Sequence, residues 1–188
     1  MSKSEITPPL SSKVQRVALS IKRAGRISFW LQLILGVIAT VTLLFTSPAL
    51  VNSRERTIAS QFGFFCAAIG LVALAINIYF SWRYTQMARR IEEPDPARRP
   101  KKSDTLQAIR IGLTINLVGM LIAIIGAEAL IGLVLGKSLS RPQLALTTDP
   151  SEFVNSIDLL IVQANTNTIA AHFSGIASSL WLLNRIAR

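Results

Sequence analysis

Residues 109–136 read IRIGLTINLVGMLIAIIGAEALIGLVLG. Only Arg110 and Glu128 carry charge in that stretch. A helix needs about 20 apolar residues to cross a hydrocarbon layer about 30 Å thick. A helix in a soluble domain typically runs for about 8–20 residues and keeps a polar stripe. The stretch is therefore read as a membrane span over 109–135, and it sets the reading of the rest. Apolar runs at 27–46, 61–83 and 157–183 reach or nearly reach the same length. The composition agrees, with 51% hydrophobic and 16% charged residues in 188. The expected fold is all-α: a polytopic four-transmembrane-helix bundle over 27–188, preceded by a basic segment at 1–26.

The net charge of +10 could suggest nucleic acid, since clustered Lys and Arg attract phosphates. The basic residues fall instead in the segments beside the spans, where they meet anionic lipid headgroups. No nucleic-acid partner is expected. Sorted by segment, sixteen lie in the N-terminus, the central loop with Arg110, and the C-terminus, against four in the other two loops. The positive-inside rule then places both termini in the cytosol or its equivalent. Trp30, Tyr79, Trp82, Tyr84 and Trp181 all fall at that inner boundary, where amphipathic rings are best solvated. A signal peptide is the rival reading of the first span, with Ser47 and Ala49 imitating a cleavage site. The apolar stretch exceeds the roughly 7–15 residues of such a segment.

Residues 10–24 set Leu10, Val14, Val17, Ala18 and Ile21 at helical spacing, flanked by Lys13, Arg16, Lys22 and Arg23. That pattern predicts an amphipathic helix lying in the inner interface, with Gly25 as a hinge into the first span. Arg89 and Arg90 join the same lipid-facing basic set. The central loop, EEPDPARRPKK at 92–102, is irregular because its prolines remove backbone donors. Asp104 is a candidate N-cap for the third helix, with Gln107 three residues on. The lone cysteine, Cys66, allows no disulfide within the chain.

Lipid tails are as apolar as leucine, so helices in a bilayer associate through small residues and interhelical hydrogen bonds. Gly112, Gly119 and Gly126 recur every seven residues in the third span, and Gly132 and Gly136 form a GxxxG pair. Ser28, Gln32, Gly36 and Thr40 recur every four in the first. These stripes serve either the bundle itself or a contact with another chain.

The fourth span carries the polar groups. Asp158, Asn165, His172 and Ser179 recur every seven residues and line one helix face. Gln163, Asn167 and Thr168 are read as broadening it. Polar groups inside a membrane are costly and usually face a bundle interior or a wet cavity. Two readings stand: hydrogen bonds that tie helices together, or a polar pathway of Gln163, Asn165, Asn167, Thr168 and His172. His172 is the candidate metal ligand or proton carrier of that pathway. Glu128 and Asp158, towards the outer end, are read either as an acidic vestibule for cations or as snorkelling carboxylates. There is no HExxH, no CxxC, no phosphate loop and no dinucleotide fingerprint. An enzyme is not expected, and no cofactor is implied.

At Phe29-Trp30-x-Gln32-Leu33 in the first span the sequence resembles a known family. Val162-Gln163-Ala164, Asn167-Thr168, His172-Phe173 and Ser179-Leu180 in the fourth carry the same resemblance. The chain is similar to cyanobacterial relatives of the plastid inner-envelope protein described both as a Tic translocon component and as an iron permease. The resemblance covers about residues 15–185. It implies a membrane protein of the transport class, either a metal-cation permease or a translocon-associated subunit. A scaffold or assembly factor for photosynthetic membrane complexes is the alternative. No plastid transit peptide is visible, so a cyanobacterial plasma or thylakoid membrane is expected. Four spans make a thin pore, so a permease implies a homo-oligomer or a larger complex.

Overall fold

A computed structural model describes residues 12–52, 57–93, 100–140 and 156–187. Four helices account for nearly all of them: α1 Ser12–Asn52, α2 Ile58–Ile91, α3 Lys102–Ser140 and α4 Ser156–Ala187. No strand occurs among the described residues. Each helix packs on the next, α1 also packs on α4, and α2 touches α4 across one diagonal. The order is therefore a square, with α1 and α3 facing each other across the other diagonal.

Two apolar clusters fix the chain directions. Ile21 and Ala24 of α1, Tyr84 and Ala88 of α2, Ala108 and Ile109 of α3, and Leu182 and Ile186 of α4 meet at one end. Leu43, Ala67 and Ala164 meet at the other. The helices thus alternate in direction, and the start of α1 and the end of α4 share one end.

The molecule is apolar outside and polar inside. Gln32, Asn165, Thr168 and His172 are fully buried, whereas Phe45 is 77% and Phe173 62% exposed. Water as solvent would drive the reverse sorting, because burying apolar surface is the main force in soluble folding. Lipid as solvent removes that penalty and leaves small residues and hydrogen bonds to hold the bundle. Three segments, Gln15–Pro48, Ile58–Ile91 and Lys102–Gly136, are long and apolar enough to cross a membrane. α4 is of similar length and carries the polar groups.

The start of the chain departs from expectation. Within the described residues α1 is one helix of 41 residues with no break at Gly25, so residues 12–24 extend the first span rather than form a separate interfacial helix. A Cβ at Gly25 would sit 3.1 Å from the Ser81 carbonyl oxygen and from Thr85 Oγ1. This glycine allows close approach to α2; it does not bend the chain. Helix α1 also runs past Pro48. Proline withholds the N–H that would bond the Leu44 carbonyl, and Ser47 Oγ donates to that carbonyl instead at 2.9 Å. Asp104 lies inside the first turn of α3 rather than at its cap, its backbone N–H bonded to Lys101 O.

Candidate functional site

Midway along the bundle a chain of hydrogen bonds joins all four helices. Ser28 Oγ of α1 lies 3.3 Å from Ser81 Oγ of α2. Ser81 Oγ donates to Gln32 Oε1 at 3.1 Å, and Gln32 Nε2 donates to Asn116 Oδ1 at 3.2 Å. Asn116 Oδ1 lies 2.9 Å from His172 Nδ1, and His172 Nε2 lies 3.2 Å from the Gly70 carbonyl oxygen. The Gln32–Asn116 bond spans the open diagonal between α1 and α3, which have few other contacts.

Glycines make the room for this chain. A Cβ at Gly175 would fall 2.2 Å from Gln32 Nε2 and 2.5 Å from Asn116 Nδ2. One at Gly119 would fall 2.4 Å from His172 Nε2, and one at Gly126 2.5 Å from Cys66 Cβ and 3.0 Å from Asn165 Oδ1. Gly112 similarly receives the Tyr84 hydroxyl. The heptad glycines of α3 are therefore seats for side chains of α2 and α4. Gly132 and Gly136 are different, with nothing among the described residues within 4 Å of an added Cβ.

The chemistry of the chain is set at its fixed end. A carbonyl oxygen only accepts, so Nε2 of His172 carries a proton. With Nδ1 protonated as well, Asn116 presents its oxygen, Gln32 donates to Asn116, and Ser81 donates to Gln32. With Nδ1 bare, Asn116 must turn its NH₂ to the ring. Gln32 then turns its oxygen to Asn116 and its nitrogen to Ser81. The proton content of His172 and the direction of the whole chain are thus one variable.

A second set ties α4 to α2. Asn165 Nδ2 donates to Gly63 O at 3.2 Å and to Ile161 O at 3.0 Å, while Asn165 Oδ1 has no partner among the described residues. Ser60 Oγ donates to Asp158 Oδ1 at 2.6 Å, and Thr57 Oγ1 caps α2 through the Ser60 N–H. Thr168 Oγ1 returns to its own helix at Ala164 O.

The heptad face of α4 is buried along its whole length, at Asp158, Asn165, His172 and Ser179. The wider pathway is not assembled. Gln163 is exposed and among the described residues reaches only Asn167 Oδ1, at 3.5 Å, while Asn167 is half-buried and its Nδ2 has no partner among them. At 100° per residue, the nine positions from Gln163 to His172 place them about 180° apart around the helix. Glu128 is exposed while Asp158 is buried against Ser60, so the two face different surroundings. Among the described residues no group of three His, Cys, Asp or Glu could hold a metal ion. Cys66 packs at Gly126 and His172 at Gly119, two turns or about 10 Å apart along α3.

At the end of the bundle shared by the start of α1 and the end of α4, Trp30, Tyr79, Trp82 and Trp181 are about half exposed, but Tyr84 is buried and donates to Ala108 O at 3.2 Å. It locks α2 to α3 and is not an interfacial ring. Arg16, Arg23, Arg89 and Arg90 are exposed, and Lys22 pairs with Glu92 at 3.8 Å. Lys13 lies in α1, with its side chain outside the described residues, as are residues 94–99 between α2 and α3 and 141–155 between α3 and α4. Sequence reasoning passed over Asn116, Asn77 and Gly175. A lone Asn in an apolar run has no period to betray it, although Asn116 shares the face of Gly112 and Gly119 by its four- and three-residue spacing.

Buried amides, exposed Phe and Leu, and three helices of spanning length define an all-helical integral membrane protein. The chain belongs to the family described as "Protein of unknown function (DUF3611)", whose pattern matches residues 11–187. It is similar to "Protein TIC 21, chloroplastic" of Arabidopsis thaliana, 30% identical over 189 residues that cover 94% of this chain and 60% of the relative. The chain thus spans 60% of the length of that curated relative. No solved structure matches it.

Proposed function

We propose that this chain is a non-enzymatic, four-span subunit of a membrane transport assembly, with both termini on the cytosolic side, and that nothing is conducted through its own bundle. One observation carries the reading: the bundle axis is filled at mid-depth by fully buried Gln32 and His172 and by Asn116, with Gln32 bonded to Asn116 across one diagonal, Asn116 to His172, and His172 to Gly70 O across the other. An ion path needs water or exchangeable ligands along its length; here the amides and the imidazole are committed to each other. The similarity to a Tic protein supports a place beside a translocon, and the basic inner end supports the orientation. The fourth span is α4, its polar face turned inward so that it meets lipid with Leu159, Phe173, Leu180 and Trp181.

The rival is the metal-cation permease, with His172 on the path. Purified protein in vesicles loaded with a ferrous- or manganous-ion indicator distinguishes the two. Uptake equal to that of protein-free vesicles is expected, with and without His172→Ala. Protein-dependent uptake abolished by His172→Ala would overturn the proposal.

A further inference from the structure

The first turns of α1 and the last turns of α4 enclose a groove of about 660 Å³, within the size range of small-molecule sites. Its α1 wall is the face of Arg16, Leu19, Arg23 and Ile27, and its α4 wall holds Trp181 and Arg185. Two properties stand out. Among the described residues no acidic side chain lines it and none pairs with these three arginines; Glu92 is engaged by Lys22. Polarity is also graded along the bundle axis. Arg16 and Arg185 stand at the mouth, Arg23 and Trp181 come next, and Ile27 lies deepest, with Leu19, Ile27 and Trp181 themselves 45–59% exposed on the outer surface of the bundle.

The geometry points to a seat for one anionic phospholipid, its phosphate held by Arg16, Arg23 and Arg185 and its acyl chain lying over Ile27 beside Trp181. Charge complementarity selects the occupant. Three guanidinium groups with no counter-charge among the described residues bring donors that match phosphate oxygens in forked geometry. The apolar floor gives a free phosphate nothing, whereas it continues the hydrocarbon for a lipid tail. An indole at the level between head and tail is where such rings are best placed. This seat holds a single molecule at defined residues, unlike the diffuse attraction of a basic tail for an acidic surface.

Native mass spectrometry of the full chain in mild detergent, supplied with equal phosphatidylglycerol and phosphatidylcholine of matched chain length, tests this. Wild type is expected to retain one phosphatidylglycerol in preference. Arg23→Gln/Arg185→Gln is expected to retain roughly thirtyfold less, from the loss of two surface guanidinium contacts. Arg23→Lys/Arg185→Lys is expected to recover part of the binding, and Lys102→Gln, outside the groove, to leave it unchanged. All these side chains are exposed, and unaltered helicity by circular dichroism confirms folding. In a Trp30→Phe/Trp82→Phe background, brominated phosphatidylglycerol is expected to quench Trp181 more than brominated phosphatidylcholine. Equal retention of the two lipids, retention indifferent to the arginine pair, or displacement by millimolar inorganic phosphate would each overturn the assignment.

Discussion

Gly119→Ala is expected to lower the unfolding free energy of the protein in micelles by about 2–3 kcal/mol, read by reversible SDS titration with circular dichroism. The new methyl group would stand 2.4 Å from His172 Nε2, 2.5 Å from Cε1 and 3.0 Å from Ala73 Cβ. The imidazole cannot slide along its groove, because Asn116 holds one nitrogen and Gly70 O the other. Overpacking of this kind costs about 1–3 kcal/mol. The interhelical hydrogen bonds displaced with the ring are worth about 0.6–1.7 kcal/mol each. Against this stands a gain of about 1 kcal/mol for alanine over glycine in a helix interior. Gly132→Ala keeps only the gain, since nothing among the described residues lies within 4 Å of the added Cβ, and is expected to leave stability unchanged or slightly raised. If the two variants behave alike, the seat for His172 does not exist as described.

Asn116→Leu is expected to destabilise by about 3 kcal/mol, since it strands His172 Nδ1 and the Gln32 amide in an apolar interior. Each stranded group costs about 1–3 kcal/mol. Adding Gln32→Leu removes one of them, so the double variant is expected to be less destabilised than the sum of the two singles. A double-mutant cycle of the pair gives a coupling of about 0.6–1.7 kcal/mol. A ¹⁵N spectrum separates this from simple loss of packing. With Asn116 gone, the ring keeps its Nε2–H on Gly70 O, and only the Nδ1 resonance moves. Additive free energies with an unmoved Nδ1 would show that the diagonal bridge carries no energy.

The helices were legible because their signal is long. Runs of Leu, Ile and Val at 109–135 and elsewhere have one physical reading at that length, and the heptad of Asp158, Asn165, His172 and Ser179 declares a face by its period alone. What meets that face is a different kind of fact. Asn116 is a single amide in an apolar run, and only the rotation of α3 about its axis brings it opposite Gln32. Gly175 looks like any small residue between Ser174 and Ile176, although its missing side chain is what admits the diagonal bridge. The glycines of α3 were visible as a heptad stripe, Gly112, Gly119 and Gly126, and a GxxxG pair, Gly132 and Gly136. The structure shows what the stripe is for: each of its three glycines receives a neighbour's side chain. Tyr84 was placed at the interface by its level in the membrane, yet its azimuth around α2 turns it inward onto Gly112. Gln163 was counted with His172 through its four-residue spacing to Asn167, although nine residues carry it to the opposite side of α4. Level along the axis was readable throughout; azimuth was readable only where a period supplied it.

Helix α1, unbroken through Gly25, is about 60 Å long at 1.5 Å per residue, twice the thickness of the hydrocarbon it crosses. Its first turns are therefore a stiff lever rather than a tether. Those turns are packed against the other helices through Ala18, Ile21 and Ala24 and run without a joint into the segment that carries Gln32. Spin labels at Gln15 and Phe45 should keep a single separation of about 45 Å, the rise of thirty helical residues, and a broad distribution would reveal a joint after all.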